Sequence, residues 1–153
     1  MKGLLVVATV LALVLGIVWL QFYLNRFWAR RRFIAAMKRP VIDCESATKI
    51  QAAFLEIMAR GETPYLVVAT QEAGVEVPEQ CMEGPATTLD ISFRAAKRLH
   101  WQRNVLVFRV SFNGIPEWVR VPAPAMAGLF SAETGRGVVL RESLVDCCGQ
   151  LGA

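Results

Sequence analysis

The chain has 153 residues, of which 54% are hydrophobic and 20% charged, and its 17 basic residues exceed its 13 acidic residues to give a net charge of +4. The excess is confined to the N-terminal part, because residues 1–40 hold seven basic groups and no acids. Residues 41–153 therefore carry ten basic against thirteen acidic groups, a net charge of −3, which disfavours a nucleic-acid-binding body.

An uncharged apolar segment, Gly3–Leu20, is the first predicted element. At about 1.5 Å per residue it extends about 27 Å, close to the bilayer hydrocarbon thickness of about 30 Å. Bulky residues occupy Trp19–Leu24, where a signal peptide needs small residues for cleavage, and several are aromatic, as at a membrane interface. The sequence predicts a transmembrane anchor over residues 1–25, with a cleaved signal peptide or a buried core helix as alternatives.

Basic residues flank this segment unevenly and predict its orientation. Only Lys2 precedes it, whereas six Lys and Arg residues lie from Arg26 to Arg39 with no acid among them. Because basic residues near a span stay on the cytoplasmic side, we expect a single-pass protein with a cytoplasmic C-terminal domain. Residues 26–42 are then a basic juxtamembrane linker, which either lies against anionic headgroups or only sets the topology.

The body is predicted to begin with a helix. Its apolar residues recur at three- and four-residue spacing between Ile50 and Met58. We expect this helix to begin at a cap formed by Asp43 or Ser46 and to end at Arg60. Gly61 follows it and can adopt the left-handed conformation that terminates helices.

Beyond this helix the apolar pattern becomes that of strands. Strands are predicted over Tyr65–Ala69, Leu89–Phe93, Val105–Phe112, Glu117–Val121 and Val138–Leu140, and a short helix over Ala125–Glu133. Asn113–Gly114 predicts a tight hairpin turn, because both residues tolerate positive φ. The expected fold class is α+β, mainly β: a small bent antiparallel sheet or partial barrel with a preceding helix.

The reactive side chains form no catalytic or metal-binding motif. The four cysteines are Cys44, Cys81, Cys147 and Cys148. They lack C-x-x-C spacing, and in a cytoplasmic body they are expected to be reduced thiols. The single histidine, His100, lies in a polar stretch that is predicted to be a surface loop. We therefore expect no enzymatic activity, no metal and no cofactor.

Several turn and strand motifs keep the intervals of a known family. They are Thr63–Val68, Gly74–Pro78, Phe112–Pro116 and Val119–Pro122, with Ala53–Glu56 before them and Gly135–Gly137 after them. Together they resemble the stringent starvation protein B family over a little over half the chain. The resemblance implies a bacterial protein with an Sm-like fold, an adaptor that binds polypeptides carrying the ssrA degradation tag and delivers them to the ClpXP protease.

The family binds its tag in a groove, and the resemblance places that groove in a peptide-binding domain over residues 43–142. The implied peptide-binding residues are Val77, Phe93, Arg94, Phe112, Asn113, Gly114 and Ile115. Sheet-based peptide recognition combines apolar side chains with free backbone groups, and both are expected here. Each residue also has an ordinary explanation, because Val77 and Phe112 suit a core, Asn113–Gly114 suits a turn and Arg94 suits solvent.

Both ends of the chain depart from the soluble family members. Residues 1–40 have no counterpart in them and imply attachment to the bacterial inner membrane. Soluble members end in a long flexible tail with a ClpX-docking peptide, whereas residues 143–153 form a short tail without one. Tagged polypeptides are thus the expected partners, engagement of ClpX is left open, and a homodimer is one option for the assembly.

Two functions other than that of an adaptor are compatible with a domain of this kind. The alternative to an adaptor is a non-proteolytic peptide or protein interaction module for a membrane-protein partner. RNA binding, by analogy with Sm-like folds alone, is disfavoured by the acidic body, so no nucleic acid is expected.

Overall fold

The computed structural model describes residues 2–38, 44–82 and 84–141, to which every structural statement refers. The helices are α1 (Lys2–Met37) and α2 (Glu45–Arg60), and the strands are β1 (Pro64–Ala69), β2 (Ala86–Asp90), β3 (Lys97–Gln102), β4 (Val105–Phe112), β5 (Ile115–Pro122), β6 (Met126–Ser131) and β7 (Gly137–Val139). Short 3-10 turns cover Glu79–Cys81 and Ala123–Ala125. The chain divides into two units, Met1–Arg32 and Phe33–Ala153. Each unit is described by itself.

The first unit is the apolar part of α1. Among the described residues, Thr9–Met37 is the one helical stretch that is long and apolar enough to cross a membrane. A signal sequence or the core helix of a soluble protein meets the same criteria, so anchoring stays a prediction. The ring of Trp19 stacks on Tyr23 with 6.5 Å between centroids, and the Arg31 guanidinium lies 4.6 Å from the centroid of Phe27. Aromatic and basic pairs of this kind suit a membrane interface.

Helix α2 confirms the predicted helix of the body. It ends at Arg60, and Gly61 has a left-handed φ of 79° and donates its N–H to the carbonyl oxygen of Met58 at 3.2 Å. The cap position is held by Cys44, two residues before the predicted Ser46, and Cys44 makes no side-chain cap hydrogen bond. The other predicted cap, Asp43, lies outside the described residues.

The strands form two antiparallel sheets. Sheet A has the strand order β2-β1-β6-β7, and sheet B has the order β3-β4-β5. The predicted α+β, mainly β class is confirmed, and the described strands do not close into a barrel. The strands predicted over Tyr65–Ala69, Val105–Phe112 and Glu117–Val121 correspond to β1, β4 and β5. The predicted last strand corresponds to β7, one residue earlier.

The prediction of a short helix over Ala125–Glu133 is wrong, because most of this segment is a strand. The segment contains the end of the Ala123–Ala125 turn, strand β6 and the first residues of the turn that leads to Gly135, whose φ is 67°. Strand β6 lies between β1 and β7, and five of its six residues are buried. Ladder hydrogen bonds on both edges and packing on both faces outweigh the helix propensity of its Ala, Met and Leu residues.

Strand β3 is not predicted by the sequence. Its residues are mostly polar, and only Leu99 and Trp101 are buried, at 2% and 6% exposure. His100, predicted to lie in a surface loop, is therefore a strand residue, and its Nδ1 lies 2.7 Å from the carbonyl oxygen of Arg98. The predicted strand Leu89–Phe93 lies three residues earlier as β2, which leaves Phe93 in the turn before β3.

The core of the second unit unites both sheets with α2 and the end of α1. Phe33 and Met37, which fall within the predicted linker, are 9% and 0% exposed and belong to this core. The ring of Phe33 lies 5.8 Å from that of Phe54 in α2, and the Gln51 amide donates a hydrogen bond to the carbonyl oxygen of Met37. The folded unit thus begins with residues that the charge pattern assigned to a juxtamembrane segment.

Candidate peptide-binding site

The hairpin formed by β4 and β5 builds the framework of the candidate site. Its register is continuous from Val105 opposite Pro122 to Phe112 opposite Ile115. Asn113 and Gly114 form the two-residue turn with φ values of 50° and 82°. This turn confirms the hairpin predicted from Asn-Gly, whose twist matches that of the flanking strands.

One face of this hairpin, the inner face, passes from the core to the surface. Residues opposite each other in a ladder project from the same face, so the inner face consists of Leu106, Phe108, Val110, Phe112, Ile115, Glu117, Val119 and Val121. Exposure rises along it from 0% at Phe108 to 7% at Val110 and 63% at Ile115, with Phe112 between them. The core therefore emerges at the turn as an apolar edge. We call Val110, Phe112 and Ile115 the hairpin ledge.

Three of the predicted site residues share one apolar cluster. Val77 is 8% exposed and lies in the core, and Phe93 and Phe112 pack against that core as partly buried side chains. The position of Val77 is set by the preceding residue, because Glu76 and Arg120 exchange two backbone hydrogen bonds of 2.9 Å. This bridge brings a loop that is distant in sequence to the edge of β5.

The remaining predicted site residues lie at the surface. Arg94 is exposed, with its guanidinium 5.9 Å from the ring centroid of Phe93. Asn113, Gly114 and Ile115 are exposed at the turn. The structure thus joins three of these residues through one core and places Arg94 beside Phe93, while the role of each residue in peptide binding stays a prediction.

An unpaired portion of backbone accompanies the ledge. Strand β3 begins opposite Arg109, where Lys97 forms its first ladder pair. The β4 residues beyond that pair, Val110–Phe112, have no strand partner on the β3 side within the described ladder. An extended peptide binds such an edge through main-chain hydrogen bonds, and neighbouring pockets select its side chains.

Polar groups close to the ledge were not predicted from the sequence. Glu117 lies on the inner face, and the Gln80 amide donates to its carboxylate at 3.5 Å. Burial, and secondarily the charge of Glu117, raises the pKa of the nearby Cys81 thiol. A raised pKa keeps the thiol protonated and weakly nucleophilic. Long-range contacts, among them the Glu76–Arg120 bridge, bring the turn that carries Gln80 and Cys81 here, so no local sequence signal identifies them.

A second concave surface involves none of the predicted site residues. This cleft of about 270 Å³ is lined by Ala52, Ala53, Glu56, Ile57, Arg60, Arg136, Gly137 and Val138, from α2 and the region of β7. Its charged residues are already engaged in part, because Arg60 forms ion pairs with Glu56 and Glu62 at 2.5 and 3.0 Å. Across the described residues, no group of three or more His, Cys, Asp or Glu side chains is arranged to hold a metal ion.

Comparison with known proteins agrees with the family resemblance of the turn and strand motifs. The family model for stringent starvation protein B matches residues 47–146, which include most of α2 and all seven strands. A stringent starvation protein B homolog from Haemophilus influenzae is 30% identical over 85 residues, covering 55% of this chain and 57% of the relative. The chain thus matches a little over half the length of this curated relative.

Proposed function

The chain belongs to the stringent starvation protein B family, and from this membership we propose that it is a membrane-tethered adaptor for ssrA-type degradation tags or similar peptides. The observation that carries the proposal is the hairpin ledge, where apolar side chains emerge from the core beside an unpaired stretch of β4. The proposal assigns no catalytic step to the protein.

The peptide binds in an extended conformation along Val110–Phe112. The peptide backbone forms hydrogen bonds with the free edge of β4, and the apolar side chains of the peptide contact Phe112, Ile115 and the partly buried Phe93. Arg94, exposed at the rim, attracts acidic residues of the peptide. Main-chain contacts supply affinity that depends little on sequence, whereas the ledge and the rim supply the preference for particular side chains.

In this proposal, α1 holds the domain at the cytoplasmic face of the bacterial inner membrane as a single-pass anchor. Tethering concentrates peptide-binding sites on one surface and so favours tagged membrane proteins as substrates. Delivery to ClpXP is the proposed outcome of capture. A non-proteolytic module would bind its membrane-protein partner through the same ledge without any effect on degradation.

The test combines a binding and a degradation measurement on the full-length protein in nanodiscs. Titration with a fluorescent ssrA-type peptide should give saturable binding that an alanine-only peptide of equal length does not compete. When the protein is present, purified ClpXP should then degrade a tagged model substrate faster at a limiting concentration of that substrate. Absence of peptide binding contradicts the adaptor proposal. Binding without faster degradation restricts the function to the interaction module.

A further inference from the structure

The basic residues of the segment 41–153 are concentrated in one part of the chain. Residues 91–116 contain five of the ten basic groups in residues 41–153 and none of the thirteen acids. These five are Arg94, Lys97, Arg98, Arg103 and Arg109. The remainder of residues 41–153 carries five basic against thirteen acidic groups. Basic and acidic groups are therefore separated along this part of the chain, although its net charge is only −3.

Part of this charge lies on the face of sheet B opposite the hairpin ledge. Two cross-strand rows define it: Lys97 pairs with Arg109 and Arg109 with Trp118, while His100 pairs with Val107 and Val107 with Arg120. Opposite residues in a ladder project from one face. We call the surface formed by these six side chains the outer face.

The outer face combines an exposed indole with basic groups. Trp118 is 47% exposed and stands opposite Arg109, whose Nε is buried and has no hydrogen-bond partner in the described part of the chain. Lys97 is exposed as well, and Arg120 forms an ion pair with Glu76 at 3.6 Å. Val107, which is 5% exposed, stands between His100 and Arg120 in its cross-strand row. A surface that offers phosphate groups above an apolar layer complements this arrangement.

We propose that the outer face docks on anionic phospholipid headgroups, with Trp118 entering the interface and Lys97 and Arg109 contacting phosphates. Tryptophan is enriched at membrane interfaces, and basic side chains are attracted to anionic leaflets. The proposal rests on the membrane tether proposed above, which keeps the lipid surface at high local concentration so that a weak contact suffices. Acidic groups outside residues 91–116 are repelled by the same surface, which disfavours orientations that bring them to the lipid.

Docking would also orient the candidate peptide-binding site. Successive residues of a strand project to opposite faces, so the outer face and the inner face of the hairpin point in opposite directions. With the outer face on the lipid, Phe112 and Ile115 turn away from the bilayer, where cytoplasmic peptides reach them. Lipid is favoured over single-stranded nucleic acid as the ligand. Proteins that bind single strands stack successive bases on several aromatic side chains, whereas the outer face offers Trp118 and His100. The net charge of residues 41–153 is also negative.

The test measures the accessibility of Trp118 in the full-length protein, reconstituted into nanodiscs of phosphatidylcholine alone or mixed equally with phosphatidylglycerol. Acrylamide quenching is recorded for the wild type and for Trp118→Phe, and the difference isolates Trp118 from Trp19, Trp28 and Trp101. We expect quenching of Trp118 to be at least about twofold lower in the anionic discs. High salt should abolish this protection because it screens charge contacts.

Two double variants separate the effect of the outer-face charges from the effect of the net charge of the protein. Lys97→Glu with Arg109→Glu should remove the protection, whereas Lys49→Glu with Arg136→Glu changes the net charge equally off the outer face and should retain it. Equal quenching in both kinds of disc overturns the docking, as does stronger protection by a single-stranded RNA oligonucleotide than by the anionic lipid. A chain that does not insert into discs contradicts both the tether and the docking.

Peptide titration in the same discs distinguishes the docking from the proposed function. Protection of Trp118 without peptide binding supports lipid docking and contradicts the adaptor role. Peptide binding without protection of Trp118 contradicts the docking alone.

Discussion

Phe112 and Ile115 lie directly opposite each other across the Asn113–Gly114 turn, yet Phe112 is partly buried against the core whereas Ile115 is 63% exposed. The pair therefore marks the point at which the hydrophobic core becomes an accessible surface. Removing the Ile115 side chain alters the surface alone, while removing that of Phe112 alters packing as well. This difference decides which residue gives an interpretable test of binding.

Ile115→Ser should weaken binding of an ssrA-type peptide about tenfold, because the lost contact of a buried aliphatic side chain contributes about 1.5 kcal/mol or more in the complex. The midpoint of urea unfolding should remain near that of the wild type. Fluorescence anisotropy titration measures the affinity. Val139→Ser, at an exposed position of β7, is the matched control and should bind normally. Unchanged affinity of Ile115→Ser would remove the ledge from the site.

A fragment that begins at Cys44 should be much less stable than one that begins at Arg30. The shorter fragment lacks Phe33 and Met37, which are buried in the core beside Phe54. Loss of a buried large side chain costs about 2 to 5 kcal/mol, so thermal unfolding followed by circular dichroism should shift strongly downward. Equal melting temperatures for the two fragments would show that the end of α1 is dispensable for folding.

The Glu133 carboxylate holds the start of β1. It accepts hydrogen bonds from the Thr63 backbone N–H at 2.8 Å and from the Thr63 hydroxyl at 2.7 Å, and these bonds lower the pKa of Glu133 from its ordinary value of 4.5. A carboxyl group whose pKa is lower in the folded than in the unfolded state stabilises the fold at pH values above its unfolded-state pKa. This stabilisation is lost as pH falls through the folded-state pKa.

Glu133→Gln should therefore reduce stability at neutral pH, and its difference from the wild type should shrink as pH falls below about 4.5. Urea unfolding at several pH values measures this difference. Glu79→Gln, at another exposed glutamate, is the control and should not reproduce the trend. A difference from the wild type that is independent of pH would indicate that packing, not the charge, is responsible.

A reporter that is active only outside the cytoplasm should be silent when fused after Ala153, because six basic residues follow the apolar segment and one precedes it. Replacing Arg30, Arg31 and Arg32 by glutamine and inserting lysines after Lys2 should raise reporter activity by inverting the asymmetry. Activity of the unaltered fusion would contradict a cytoplasmic domain.

Local sequence patterns determined the elements whose signals lie within a few residues. The three- and four-residue spacing and Gly61 fixed helix α2 and its end, because helix geometry repeats over short distances. Alternation in Val105–Phe112 and the tolerance of Asn113–Gly114 for positive φ determined the central hairpin. The intervals between such turns were sufficient to indicate the family to which the chain belongs.

Tertiary structure decided what depends on partners distant in sequence. Strand β6 adopts its conformation only because β1 and β7 pair with its two edges, and β3 is a strand because β4 supplies a ladder to a largely polar segment. The Glu76–Arg120 bridge brings Val77 to the candidate site, and the burial of Phe33 extends the core into a segment that reads locally as a basic linker. Contacts between residues that are distant in sequence leave no periodic pattern in the local sequence. They are therefore seen only in the folded structure.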